Sequence, residues 1–324
     1  MTAPAAAPPS SREAYRDTLT ELMPGDERLV CLDSDTGLFS NVDFGSAAGR
    51  YLNVGIAEHT LMGAAAGLAR SGRMPFVNTM AAFASARALD AVKVDIALTN
   101  APVRIAATHS GVSAGHLGPT HHALEDLAVM RTLPNMTVVV PADAAQTREL
   151  VRQSLGVPGP VYLRLGRNAT PDLPAGPPPC LGTVQQVRAG TDVAIVACGP
   201  YPVLAAIEAA DLLHRDGISA AVLNAHTVKP LDTATILAAA SVTGLVVTVE
   251  EHWAAGGLGS AVAEALSGTL PVPVHRVAMP DSFVGVAGGQ RFLLDKAGIT
   301  STAISVKVRS ALGRTTTSIG GERR

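Results

Sequence analysis

Glu58 stands alone in "NVGIAEH" (Asn53 to His59), between a short apolar run and the alanine-rich "TLMGAAAGLARSG". A carboxylate at a helix start has two uses. It can interact with the positive end of the helix dipole. It can also hold a bound group, in a pocket whose small residues (Gly55, Ala57, Gly63 and Ala64) let ligand and backbone approach closely. A second concentration of chemistry is "THSGVSAGHLGPTHH", a glycine-rich loop from Thr108 to His122 with four histidines, His109, His116, His121 and His122. Loops of this length inside compact domains commonly carry function. Metal binding is the first use that four histidines suggest. No carboxylate or cysteine stands at a ligand-like offset, however, and the adjacent His121 and His122 point apart, so no metal ligand is expected. Asp33 and Asp35 in "CLDSD" form a third polar cluster.

Short apolar runs alternate with helical patterns around these clusters: "RLVCLDSD", then "VGIAEHTLMGAAAGLARSG", "MPFVNT", "FASARALDAVKVDIALTN", "VRIAATHSG", "LEDLAVMRTLP", "MTVVVPAD", "AAQTRELVRQSLG" and "VYLRLGR". This alternation predicts an α/β fold with a doubly wound, mostly parallel sheet over residues 12–167. Ligands of such sheets collect at the carboxyl ends of the strands, where all three polar clusters fall. Proline density in "NATPDLPAGPPPCLG" predicts a linker over 168–182. A second, smaller α/β unit with a mostly parallel sheet follows over 183–312. Residues 1–11 and 313–324 are expected to be disordered tails.

Of the 324 residues, 47% are apolar but only 3% aromatic, so the cores must be built from Ala, Val, Leu and Ile. A formal charge of −2 gives no electrostatic footprint for nucleic acid or for an anionic membrane. No segment approaches the roughly 20 apolar residues needed to span a bilayer. Cys31, Cys180 and Cys198 lie far apart with neither metal-type nor redox-type spacing, which suits a reducing cytoplasm.

Four stretches, in this order, resemble the transketolase family: "RYLNVGIAEHTLMGAAAGLARSGRMPFVNTM", "HLGPTHHALEDLAVMRTLPNMTVVVPAD", "HTVKPLD" and "VTVEEHWAAGGLGSAVAE". The resemblance covers about residues 28 to 280 and implies a pyrimidine-binding domain followed by the family's C-terminal domain. It implies that Glu58 is catalytic, hydrogen-bonding a ring nitrogen of the thiamine diphosphate aminopyrimidine. That contact favours the tautomer that takes the thiazolium proton, after which the cofactor serves as electron sink for carbon–carbon cleavage. Phe83 matches an aromatic that stacks on the aminopyrimidine, and Asp35 an acidic residue near the cofactor or a subunit contact. Met80 and Ala86 stand where full-length transketolases carry two further aromatics; methionine can still cover a ring face. The resemblance also implies that His109 and His121 bind the sugar and that Arg167 grips its terminal phosphate, a task suited to paired guanidinium donors. Leu117 departs from an aspartate that reads a substrate hydroxyl in many transketolases, and a leucine cannot accept that hydrogen bond. The "EEH" of Glu250 to His252 and the "GGLG" of Gly256 to Gly259 are read as ion contacts and a tight turn.

Thiamine enzymes hold the diphosphate through Mg2+ on a "GDG" motif followed by an asparagine, and this chain contains no "GDG". The resemblance therefore implies half a cofactor site. The missing half, with most of the Mg2+ coordination, would come from a second subunit in an α2β2 heterotetramer. The expected reaction is transfer of a two-carbon ketol unit from a ketose phosphate to an aldehyde. A second reading is a subunit like 1-deoxyxylulose-5-phosphate synthase or the beta chain of a 2-oxo acid dehydrogenase, decarboxylating a 2-oxo acid. A third is a non-catalytic assembly subunit.

Overall fold

The computed structural model describes residues 8–314. The first helix, α1 (Ser11–Leu22), begins with a reciprocal cap. Ser10 Oγ accepts from the Glu13 amide, and the Glu13 carboxylate accepts from the Ser10 amide at 2.9 Å. Ser10 also bridges to Ala169, and Ser11 Oγ donates to the Gly166 carbonyl and accepts from its amide. The expectation of disorder over 1–11 is therefore wrong for Ser10 and Ser11, where cap and bridge satisfy backbone groups that a loose tail would leave to water. Residues 1–7 and 315–324, the rest of the two expected tails apart from Gly313 and Arg314, lie outside the described residues.

Strands and helices then alternate: β1 (Leu29–Asp33), β2 (Tyr51–Asn53), α2 (Glu58–Arg70), β3 (Met74–Met80), a helical stretch over 83–97 that contains α3 (Leu89–Ala91), β4 (Arg104–Thr108), α4 (Asp126–Thr132), β5 (Thr137–Val139), α5 (Ala144–Ser154) and β6 (Val161–Arg164). Every residue of β1, β4 and β6 is buried, as expected of strands covered by helices on both faces. The sequence shows a helical pattern over 83–100, "FASARALDAVKVDIALTN". The structure winds Phe83–Arg87 and Val92–Ala97 as π-helix, a local widening that often accompanies functional positions. Residues 168–182 form neither helix nor strand.

The second half runs β7 (Gln185–Arg188), β8 (Val193–Cys198), α6 (Pro200–Arg215), β9 (Ala220–Asn224), β10 (Thr227–Lys229), α7 (Thr233–Thr243), β11 (Val246–Trp253), α8 (Leu258–Ser267), β12 (Val274–Met279), α9 (Gln290–Ala297) and α10 (Ser301–Ala311). Its sheet has the order β12-β11-β8-β9-β7, parallel except for β7. The first sheet has the order β10-β5-β6-β4-β3-β1-β2, also parallel except at one edge. That edge is β10, lent by the second half and antiparallel to β5, with the Val140 amide donating to the His226 carbonyl at 2.7 Å. A three-residue strand carries no readable periodicity, so only pairing reveals it. It also covers an edge that would otherwise invite another chain.

One apolar cluster crosses the two halves, from Leu61 and Val77 to Leu223 and Val262. The scarce aromatics gather elsewhere: Tyr15, Phe39, Phe44, Tyr51 and Phe76 pack on one another at centroid distances of 5.0–6.2 Å. Between the sheets lies a buried polar network. Arg164 pairs with Asp126 at 2.7 Å, Tyr162 donates to the same carboxylate, and Arg164 Nη2 donates to the Ala123 and Glu251 carbonyls. Such a pair is costly to break from one side, because the remaining charge stays buried.

Candidate active site

Glu58, Phe83, His109 and Arg167 follow β2, β3, β4 and β6 at one end of the first sheet, and Asp35 follows β1 there. The chain reaches Glu58 through a tight turn. Gly55 has a φ of +74°, open to glycine without strain, and its amide donates to Asn53 Oδ1 at 2.9 Å. Glu58 is the first residue of α2, yet its side chain does not cap the helix. It is only 1% exposed, and among the described residues its carboxylate has one hydrogen-bond partner, Arg87 Nη1 at 2.9 Å. The Arg87 guanidinium carbon lies 4.5 Å above the Phe83 ring centroid. His121 meets Phe83 edge-on, with centroids 5.4 Å apart. Phe83, Ala86 and Arg87 line one wall of a cleft of about 280 Å³, opposite Trp253 and Phe283 of the second half.

The two aspartates separate cleanly. Asp33 is buried and accepts from Thr36, Asn78 and Tyr51, so it is a structural anchor. Asp35 is exposed in a left-handed backbone conformation (φ 60°), with Asn53 Nδ2 donating to one oxygen at 2.9 Å. Met80 ends β3, half-buried.

His109 is 5% exposed, with a φ of 57°. Arg12 Nη1 lies 3.3 Å from its Nε2, and Thr108 Oγ1 3.0 Å from its Nδ1. A guanidinium can only donate, so Nε2 is the acceptor and Nδ1 carries the proton in this network. Burial, followed by the charges of Arg12, Arg167, His116 and His121, pushes the His109 pKa down to about 3. This imidazole is neutral at ordinary pH. Arg12 and Arg167 make the surroundings of His109 cationic, with the Arg12 pKa itself lowered by burial and by Arg167. Leu117, 44% exposed, sits on the 3-10 turn Gly115–Leu117 of the same loop.

Sequence reasoning missed Arg87, and it missed Arg12 because that residue adjoins a stretch read as a tail. The signal was present: Ser10 and Glu13 have the spacing of a capping box, which fixes a helix start at Arg12's own turn. Among the described residues no group of three or more His, Cys, Asp or Glu is arranged to hold a metal ion. No helix among them is long and apolar enough to cross a membrane.

Family models match most of the chain: transketolase, pyrimidine binding domain over residues 7–172, and transketolase, C-terminal domain over 182–304. The chain belongs to the transketolase family. One subunit of the apulose-4-phosphate transketolase of Phocaeicola vulgatus is 41% identical over 301 residues, covering 90% of this chain and 96% of that protein. The 6-deoxy-6-sulfo-D-fructose transketolase subunit SqwH of Clostridium sp. is also 41% identical, over 90% of this chain and 91% of its own length. A 1-deoxy-D-xylulose-5-phosphate synthase of Gloeobacter violaceus is 36% identical over 94% of this chain, but only 48% of that longer protein is covered. Among solved structures, a split gene transketolase described as an inactive beta4 tetramer superposes with a TM-score of 0.85 at 42% identity, covering 94% and 99% of the two chains. Membership of the family implies dependence on thiamine diphosphate.

Proposed function

We propose that this chain is the pyrimidine-binding and C-terminal subunit of a split transketolase. Glu58, Phe83 and Met80 would hold the aminopyrimidine, with Asp35 at the rim. A partner subunit that carries the "GDG" and asparagine motif would hold the diphosphate through Mg2+, and two copies of each would form the active heterotetramer. One observation carries this reading. The Arg87 guanidinium is a planar cation that donates to buried Glu58 and lies over Phe83, the same two contacts an aminopyrimidine ring needs. The residues therefore fit the ring, provided that Arg87, half-exposed at 52%, turns aside for it.

When bound, thiamine diphosphate supplies the nucleophilic carbon and the electron sink for carbon–carbon cleavage. Glu58 would meet the ring nitrogen with its carboxyl, in a setting dry enough to make that hydrogen bond strong. Phe83 covers one ring face. Arg12 and Arg167, with neutral His109 bracing Arg12, present an unusual density of donors for the anionic end of a ketose. Two of the relatives carry a phosphate and a sulfonate in their substrates' names, and either tetrahedral anion suits such a patch. His121, edge-on to Phe83, would meet the sugar between ring and anion. Leu117 offers no acceptor to a hydroxyl, so the substrate is expected to differ there from common sugar phosphates.

The test is reconstitution with a "GDG" partner, thiamine diphosphate and Mg2+, assayed with fructose 6-phosphate, xylulose 5-phosphate and pyruvate as donors. Ketol transfer that requires both chains is expected. Turnover by this chain alone would reject the split site, decarboxylation of pyruvate without ketol transfer would favour the synthase-like reading, and an inert complex with cofactor bound would favour a non-catalytic subunit.

A further inference from the structure

Among the side chains that the second half of the chain brings to the region of His109 and Arg167 is Gln290, the first residue of α9 and 7% exposed. Its Nε2 donates to both oxygens of Glu251, at 2.8 and 3.0 Å, and its Oε1 accepts from Asn168 Nδ2 at 2.8 Å. Glu251 in turn accepts from the Val112 amide at 2.6 Å. The loop backbone passes so close there that a Cβ on Gly111, itself at φ +60°, would sit 2.2 Å from Glu251 Oε1.

Both ends of this chain of bonds land beside site residues. Val112 lies three residues after His109, within the base of the histidine loop. That base is closed by reciprocal Gly111–Ala123 hydrogen bonds of 3.1 and 2.9 Å, with His121 just inside it. Asn168 directly follows Arg167. A cleft of about 360 Å³ opens over the same turn, lined by Arg167, His116, Asn168, Gln290 and Arg291 and, among the described residues, by no carboxylate. The strand end that carries Arg167 and the loop that carries His109 are joined by the Ser110 amide donating to the Leu165 carbonyl at 3.2 Å, and the Gln290 amide adds a side-chain cross-brace from the C-terminal half.

We propose that Gln290, acting through Glu251 and Asn168, is a positioning residue that sets the spacing of Arg167 against His109 and Arg12, and so the preference for a ketose with an anionic end. This rests on the reading of the chain as a transketolase subunit. Gln290 touches neither substrate nor cofactor. Its loss leaves the buried Glu251 carboxylate short of a donor and frees Asn168, so the turn beyond Leu165 and the loop beyond Ser110 keep their backbone bonds but lose the side-chain tie that sets their spacing. Interactions held only by a bidentate, pre-set geometry are the first to suffer when the spacing relaxes.

The experiment compares a phosphorylated ketose with the same ketose lacking its phosphate, using the two-subunit complex. Gln290→Met keeps volume and apolar packing but removes all three hydrogen bonds. It is expected to raise KM for the phosphorylated donor about tenfold, the scale of a lost hydrogen bond to a charged group. Its kcat, and KM for the unphosphorylated donor, should stay within about twofold. Gln290→Glu should be as poor, with two carboxylates facing each other. The double variant Gln290→Glu with Glu251→Gln restores the bonding pattern with amide and acid exchanged, and is expected to recover the phosphate preference. Equal losses for both donors, or no recovery in the double variant, would overturn the proposal in favour of a purely structural role. Inorganic phosphate titrated into the full chain gives a readout independent of turnover, with binding expected to weaken about tenfold in Gln290→Met. If the complex were inert but this weakening held, the functional reading would fall and the positioning role would stand. Unchanged phosphate binding would remove the positioning role instead.

Discussion

Glu58, which opens α2 after β2, and Glu250, within β11 of the other sheet, are both withdrawn from water, at 1% and 0% exposure. Their surroundings differ. The Glu250 oxygens accept from the Leu258 and Gly259 amides at 2.6 and 2.8 Å, closing the first turn of α8. Its neighbour Glu251 is held by Val112 and Gln290. Every one of those donors is fixed by the backbone or by packing. Among the described residues Glu58 has a single partner, a half-exposed arginine whose long side chain can leave. A buried carboxylate whose donors are fixed serves the fold, whereas one kept buried with a replaceable donor is available for chemistry. Burial alone would have ranked the three alike.

That contrast breaks first under Glu58→Ala. Turnover of the reconstituted complex is expected to fall about a thousandfold, within the range of a lost proton-handling group. The circular dichroism and assembly should be unchanged, while Glu250→Gln keeps activity within a few-fold. Equal activity losses in both variants would erase the distinction.

Stability should answer in the opposite sense. Glu250→Ala leaves two amides of α8 unpaired and is expected to cost about 2–4 kcal/mol in urea unfolding. Burial pushes the Glu250 and Glu251 pKa values up to about 7, from 4.5 in the unfolded chain. The folded state therefore binds the extra protons between those values, and their contribution is fully present below pH 4.5 and lost as pH rises through 7. A Glu250→Gln variant should show a flatter stability curve across that window than the wild type. The same slope in both would show that Glu250 is ionised throughout.

The smallest effect expected is at the replaceable partner. Arg87→Met removes the group that occupies the proposed ring position, so thiamine diphosphate should bind the complex about tenfold tighter, by the arithmetic of one lost competing contact. Without cofactor the chain loses the counter-charge of Glu58 and should melt about 2–4 °C lower. Weaker cofactor binding would mean that Arg87 stays on Glu58 in the loaded site.

Much of the architecture was legible in local pattern. Five-residue apolar runs such as Leu29–Asp33 and Arg104–Thr108 give buried parallel strands wherever helices follow them, and the polar clusters then fall at strand ends by topology. The capping box of Ser10 and Glu13 was readable too, yet a proline-rich neighbourhood masked it. Other features have no local signature. The pairing of Thr227–Lys229 onto the first sheet, the π-turns at Phe83, and the different fates of Asp33 and Asp35 depend on partners far along the chain.

Residue types and their order determined on their own that this is a two-sheet α/β protein with three polar clusters at strand ends, because alternation of apolar runs with helical patterns is a property of short windows; the role proposed for Glu58 came from the family resemblance instead. Tertiary structure alone decided which charges meet. Arg12 reaches His109 across 97 positions, Arg87 reaches Glu58 across 29, and Gln290 reaches Glu251 across 39. Hydrogen bonds and charge effects act over a few ångströms of space, and only folding converts distance along the chain into that proximity.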